Sequence, residues 1–572
     1  MKRLKVAVSW RLLPVLGVAL FGTALVLVPL LATLWLSFVA GSPGQGEYTL
    51  ENYAKVISDP FGYRVLANTV LLAVGSTLIA IGIGAPLAWA VARTDLPFKH
   101  FITLMMGVIL VVPGFIQGIG WAVMLSPTIG LINVLFTQAL GFAAPPFNIY
   151  TLAGMTLVQG LDLVPPAFFM LLPVLMGMDA SFEEAAYLSG AGKTRTFLRI
   201  NLPLAAPAVV ASSIYVLVLA STLFEVPVIL GFPERIFVFS TLIYLLITAH
   251  VGLPSYGLAG AYGSVIVLVS LLMTSQYARV MQKGRKYATI TGKGRRAKLL
   301  ALGKWRSLAV ALAVCYLGLA LGLPLLTLIY FSLLPFFQVP SLQALKAMTF
   351  RHYFSLVDQS GADPFINTGL LIALVPLAVI FLAIPISWIV VRSRLPGRFV
   401  IDNIAFLPFA VPRIVIAVAI LYLGLLTRHL VPIYGTILII AIAHIVMFMS
   451  FATRTLNGAM IQIHPDLEEA GRTSGASLVK VLRRVTIPLL RPAVFFAWFW
   501  VLLLSLREVT VAVMLSSPDN IVLPVLIFTR WQAGRSHEAA AAAVVFVVIA
   551  CVLLLALQRR VRQVSPTATI QG

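Results

Sequence analysis

About twelve stretches of this chain are each apolar over roughly the 20 residues that a membrane-spanning helix needs. They fall near 12–40, 64–92, 101–125, 149–178, 204–231 and 256–279, then 307–335, 367–391, 400–426, 435–461, 489–515 and 537–558. Soluble domains are about 25% charged; here 10% of 572 residues are charged and 60% are apolar. The expected fold class is therefore an all-α integral membrane protein. The opening "MKRLKVAVSWR" has the basic character of a signal peptide, but its apolar run is nearly twice the usual ~7–15 residues, so it reads as a retained first helix.

The formal charge of +22 raises nucleic-acid binding, and its distribution argues against that. Alternating the spans from a cytoplasmic N-terminus puts 30 of the 41 Lys and Arg on the cytoplasmic side, ten of them between Arg279 and Arg306. This positive-inside pattern predicts both termini in the cytoplasm, with the basic surface facing anionic lipid headgroups. Cys315 and Cys551 both lie inside predicted spans, with no disulfide framework and no metal-ligand spacing.

The chain also repeats itself. "NTVLLAVGSTLIAIGIGAPLAWAVARTDLP" from Asn68 returns as "NTGLLIALVPLAVIFLAIPISWIVVRSRLP" from Asn367. Asn68/Asn367, Pro86/Pro385, Arg93/Arg392 and Pro113/Pro412 keep an offset of 299; Glu184/Glu469, Gly190/Gly475 and Pro203/Pro488 keep 285. The difference falls in a longer loop of the first half, "NVLFTQALGFAAPPFNIY", where insertions are tolerated. The reading is one six-helix unit written twice: residues 1–280 (core 64–279), a basic cytoplasmic linker 281–305, and residues 306–572 (core 366–558). An even number of spans makes the repeats parallel, with the seam between them as the natural path.

Each half carries one polar segment between its fourth and fifth spans, "EEAAYLSGAGKTRTFLRINLP" from Glu183 and "EEAGRTSGASLVKVLRRVTIP" from Glu468. Acidic residues open it, as suits a helix N-terminus. Small residues follow, and their face would let another protein approach. Gly190 and Gly475 can turn the chain between two short helices. Pro203 and Pro488 mark the first turn of the fifth span. The segment reads as a compact cytoplasmic elbow.

The spacing Glu-Ala-Ala, Gly, Ile-x-Leu-Pro resembles the coupling motif of permease subunits of binding-protein-dependent ABC importers. The first copy matches fully at Glu184, Ala185, Ala186 and Gly190. The second, at Glu469, Ala470, Gly471 and Gly475, has Gly where the motif has Ala. A fused chain with two copies resembles the ferric-iron type, as do "LFEVPVILGFPERIFVFSTLIY" from Leu223 and "SLREVTVAVMLSSPDNIVLPVLIF" from Ser505. The resemblance implies a type I importer fold in the inner (cytoplasmic) membrane. It also implies two ATPase subunits that the elbows grip and an external substrate-binding protein. No cofactor would be bound by this chain, with ATP and Mg on the partner. The chain has no Gly-x4-Gly-Lys-[Ser/Thr] phosphate loop, so ATP hydrolysis is expected in a separate protein and this chain is expected to be a transport subunit, not an enzyme. Ferric iron leads as substrate; thiamine, polyamine and phosphonate stay open, with an ion-gradient-driven secondary transporter as the more distant rival.

An ionised side chain at a span's centre costs roughly 2.5–3.5 kcal/mol on insertion scales and needs a reason. Glu225, Arg507 and Glu508 lie in the fifth and eleventh spans, Arg413 in the ninth where the first half has Gly114. Gln159 and His444 are separated by the repeat offset of 285, and Asp162 is one helical turn beyond Gln159. These seven are candidates for a polar path lining or gate. The alternative is structural: ion pairs such as Glu225 to Arg507, helix caps, and a His444 satisfied by a local partner. Neither repeat offers a metal cluster.

Overall fold

The structure, a computed structural model, describes residues 13–41, 46–179, 181–248, 254–284 and 299–564. Lys2, Arg3, Lys5 and Arg11, and the linker stretch 285–298, lie outside the described residues. Regular structure is helical apart from two isolated bridges. Apolar segments with no water to satisfy their backbone must form their hydrogen bonds internally, and a helix does so within one segment.

In the first half the principal helices are α1 (Leu13–Leu36), α2 (Pro60–Arg93), α3 (Lys99–Val111), α4 (Gly114–Leu125), α5 (Leu152–Asp162) and α6 (Val164–Met176). Then come α7 (Ser181–Leu188), α8 (Leu202–Thr222), α9 (Glu225–Leu230) and α10 (Tyr256–Gly284). The second half gives α11 (Arg306–Leu317), α12 (Leu323–Leu333), α13 (Asp363–Arg392), α14 (Arg398–Phe406) and α15 (Arg413–Leu426). It ends with α16 (Ile437–Gln462), α17 (Asp466–Thr473), α18 (Ile487–Arg507), α19 (Thr510–Leu515) and α20 (Ser536–Val564).

Ten spans among the described residues are long and apolar enough to cross a membrane, and twelve if each of two bent pairs counts as one. The bent pairs are the expected third and ninth spans. α3 and α4 meet at 93°, α14 and α15 at 105°. Proline causes both breaks. Val112 is extended before Pro113, as a residue preceding proline prefers, and both Pro113 and Pro412 are themselves extended N-caps.

The same pins recur in both halves. Asn68 donates to Phe237 O at 3.1 Å, and Asn367 to Ile521 O at 3.0 Å. Beside them Thr69 and Thr368 accept from Phe239 N and Leu523 N. The Asn-Thr pair that opens each repeated segment thus fixes the stretch beyond α9 and α19.

The halves also interlock. α1 packs on α13 and α15 of the second half, and α12 packs on α4 of the first. Gly120 permits the second approach: a Cβ there would lie 2.7 Å from Pro324 Cβ. Pro165 lacks the N–H that would serve the carbonyl four residues back, and that carbonyl, Leu161 O, accepts from the Tyr316 hydroxyl of the second half at 3.2 Å. Exposed Leu20, Phe21, Leu78, Leu326 and Phe381 belong to the broad apolar surface that lipid would cover.

Candidate functional site

Both polar segments fold as the expected elbow. Glu183 and Glu184 lie in the first turn of α7, and Asp466, Glu468 and Glu469 in that of α17. Gly190 and Gly475 take φ of +78° and +80°, where other residues are strained. The amides after them close each helix: Ala191 N donates to Ala186 O, and Ala476 N to Gly471 O. This six-residue bond is a Schellman cap. A short second arm follows, then one π-helical turn, Phe197–Asn201 or Leu482–Thr486, then the long helix with Pro203 or Pro488 in its first turn.

The two adjacent glutamates of each elbow have different surroundings. Glu184 and Glu469 are exposed, as are Ala185 and Ala470. Glu183 is buried, with Oε1 2.5 Å from Arg93 Nη2; the same guanidinium donates to Met178 O at 3.0 Å. Glu468 is likewise buried, with Arg392 Nε at 3.4 Å, Trp388 Nε1 at 3.1 Å and Thr486 Oγ1 at 3.1 Å. Arg392 also holds Met460 O and Ile463 O. Each elbow is thereby bolted to the last turn of its half's longest helix, α2 or α13. Sequence reading counted Arg93 and Arg392 as cytoplasmic charge and as a repeat pair, and gave them no partner. Their retention beside a retained Glu183/Glu468 was the available signal. Gly471, expected to offer a small face to another protein, turns toward the elbow's own second arm: a Cβ there would lie 3.2 Å from Val481 Cγ2. The outward small residue is Ala470.

Five of the seven intramembrane candidates meet at the seam. Arg413 Nη1 lies 2.5 Å from Glu508 Oε2 and 3.9 Å from Glu225 Oε1. Arg507 donates to Leu110 O across the seam and places Nη2 4.0 Å from Glu225 Oε2. Glu225 accepts from Gly114 N at 2.6 Å, at the start of α4, and Glu508 accepts from Val511 N at 3.2 Å, at the start of α19. Asp162 accepts from Gln117 Nε2 at 3.2 Å. Gln117, a lone amide in an apolar run, was passed over in the sequence. Of the side chains in the triad, Arg413 keeps 30% accessibility against 2% for Glu225 and 0% for Glu508, so it is the one that faces open space.

The other two candidates tie helices together. Gln159 donates to Ala220 O at 3.1 Å, and His444 Nδ1 pairs with Ser505 Oγ at 2.8 Å. Ala220 and Ser505 are themselves 285 apart, so both halves join the same two spans at the same height.

Residues 380–563 match the family described as "Binding-protein-dependent transport system inner membrane component". Over 499 residues the chain is 25% identical to the Fe(3+)-transport system permease protein FbpB 2 of Haemophilus influenzae, covering 86% of this chain and 89% of that one. Residues 380–563 are thus a binding-protein-dependent transport permease domain, and the chain resembles fused ferric permeases along most of its length. The chain is also 25% identical to the ferric transport system permease protein FbpB of Actinobacillus pleuropneumoniae, over 88% of its own length and 72% of the relative's. It is 30% identical to the spermidine/putrescine transport system permease protein PotB of Escherichia coli, over 32% of its own length and 66% of the relative's. A crystal structure of a bacterial ABC transporter that imports the acidic polysaccharide alginate superposes with a TM-score of 0.38 at 17% identity, covering 46% of this chain and 98% of that one.

Proposed function

We propose that this permease forms the translocation path of an ATP-driven importer for ferric iron, with 1–280 and 306–572 as its two arms. The observation that carries the coupling role is the pair of elbows, each presenting an exposed glutamate and alanine outward while its neighbouring glutamate is buried on an arginine of the longest helix. A partner gripping the exposed face would pull on α2 and α13 through those buried pairs. The elbows sit among the basic residues assigned to the cytoplasm, where two ATPase subunits carrying ATP and Mg would dock; both termini belong on that side. A substrate-loaded binding protein would dock on the opposite face. ATP-driven closure of the ATPases would draw the elbows together and open the seam outward, and hydrolysis would reset it.

Ferric iron is favoured because the ferric permeases match along most of the chain, whereas the polyamine permease matches over a third of it. The test is uptake of radiolabelled ferric iron into vesicles holding the chain, its ATPase and its binding protein. The reading expects uptake that needs ATP and both partners. Uptake that persists without the ATPase and follows an ion gradient would instead support a secondary transporter.

A further inference from the structure

Two buried oxygens at the seam have no hydrogen-bond partner: Gln117 Oε1 and Glu225 Oε1. Buried polar atoms are nearly always paired, so two within one carboxylate cluster call for an account. The amide nitrogen of Gln117 is already engaged on Asp162. Gly114 sits between the carboxylates. A Cβ there would lie 3.0 Å from Asp162 Oδ2 and 3.2 Å from Glu225 Oε2, so the absent side chain is what lets both carboxylates close on the same backbone position.

All these donors are oxygens, and oxygen donors without nitrogen or sulfur select hard cations. In this state the positive charge comes from arginine. Both arginines, Arg413 and Arg507, belong to the second half, and their positions in the first half hold Gly114 and Thr222. Arg413 is bound closely to Glu508 of its own half and loosely to Glu225 across the seam. The 3.9 Å contact is the weaker of the two, so were the halves to part, Arg413 would stay with Glu508. If Arg507 also released Leu110 O, Asp162 and Glu225 would face the path without a countercharge. Two carboxylates left so in a poorly polar surrounding bind a cation strongly.

We propose that Asp162 and Glu225, with the amide oxygen of Gln117, form a transit site for a hard trivalent cation, and that the Arg413 guanidinium, 3.9 Å from Glu225 Oε1, supplies the countercharge on Glu225 until the halves part. The cation class rests on the ferric-iron reading; the displaceable arginine rests on geometry alone. Among the described residues no three His, Cys, Asp or Glu side chains are grouped to hold a metal ion; the site proposed here has two carboxylates and an amide oxygen.

The test uses terbium, a hard trivalent ion whose luminescence rises on binding oxygen ligands, titrated into the full chain assembled with its ATPase in nanodiscs. The wild-type complex should show no saturable terbium site without nucleotide and one site when trapped with ATP and vanadate. Asp162→Asn and Glu225→Gln should each weaken that site at least tenfold. Arg413→Gln should reveal it without nucleotide. Because that change leaves Glu508 unpaired, the double variant Arg413→Gln/Glu508→Gln serves as the second form, with assembly checked by gel filtration. No terbium site in either Arg413 variant, or unchanged binding by the Asp162 and Glu225 variants, would overturn the proposal. If the site behaves as expected but wild-type vesicles import no ferric iron, the transit site stands and the iron assignment falls.

Discussion

Arg93 and Glu183 are 90 residues apart in sequence and form a buried ion pair at 2.5 Å, and Arg392 and Glu468 repeat the pairing in the second half. Each pair joins the end of a long helix to the first turn of an elbow. The same elbow turn presents its next residue, Glu184 or Glu469, to the outside. One pair of adjacent glutamates therefore combines an internal anchor with an external contact.

Substitution should separate those two roles. Glu183→Gln or Arg93→Ala breaks a buried pair, which typically costs roughly 3–5 kcal/mol when one partner is removed. Either should lower the melting temperature of the purified chain. Glu184→Lys with Glu469→Lys should leave the melting temperature within a degree or two. That double variant should abolish ATPase binding and ATP-dependent uptake, read by co-purification and vesicle assay.

The elbow turns depend on glycine. Gly190→Ala and Gly475→Ala force a side chain into left-handed backbone, at a cost of roughly 1–2 kcal/mol each. Asparagine, which tolerates that conformation better, should be milder at both positions. Stimulated ATPase activity of the assembled transporter should rank glycine above asparagine above alanine.

The contact across the halves at Gly120 is tight and directional. Gly120→Ala would press a methyl against Pro324, including its backbone oxygen at 2.9 Å, and overpacking of this kind costs about 1–3 kcal/mol. Gly82→Ala, with nothing within 4 Å of the added carbon, should be neutral or slightly stabilising in the same thermal assay.

Tyr316→Phe removes the side-chain donor to Leu161 O and leaves it only the Leu163 amide. Losing one such hydrogen bond costs about 0.5–1.5 kcal/mol. Thermal stability should fall by that order, while Tyr330→Phe, whose hydroxyl serves the half-exposed Gln338 O, should cost less.

Much of this was legible in the sequence because the chain states it twice. The offsets of 299 and 285 located the elbows, their glycines and the Asn-Thr pins, and apolar run length located the spans. Run length could not show that α3 and α4 fold back at 93°, since Pro113 interrupts a segment that stays apolar on both sides. Nor could repetition expose the seam, where the halves differ: Gly114 against Arg413 and Thr222 against Arg507 are mismatches, and the ion cluster exists because of them. Glu183 and Glu184 are indistinguishable by composition. Only the position of Arg93, brought in by tertiary packing, makes one an anchor and leaves the other outside.

The most direct test is the distance between the elbows. Spin labels at the exposed Ser189 and Ser474, with Cys315 and Cys551 replaced by serine, would report it by double electron–electron resonance in the chain assembled with its ATPase. The mechanism predicts a shorter distance when the complex is trapped with ATP than when nucleotide is absent, and loss of that change in Arg93→Ala/Arg392→Ala. A distance that stays the same on trapping, in a complex that still imports its cargo, would contradict it.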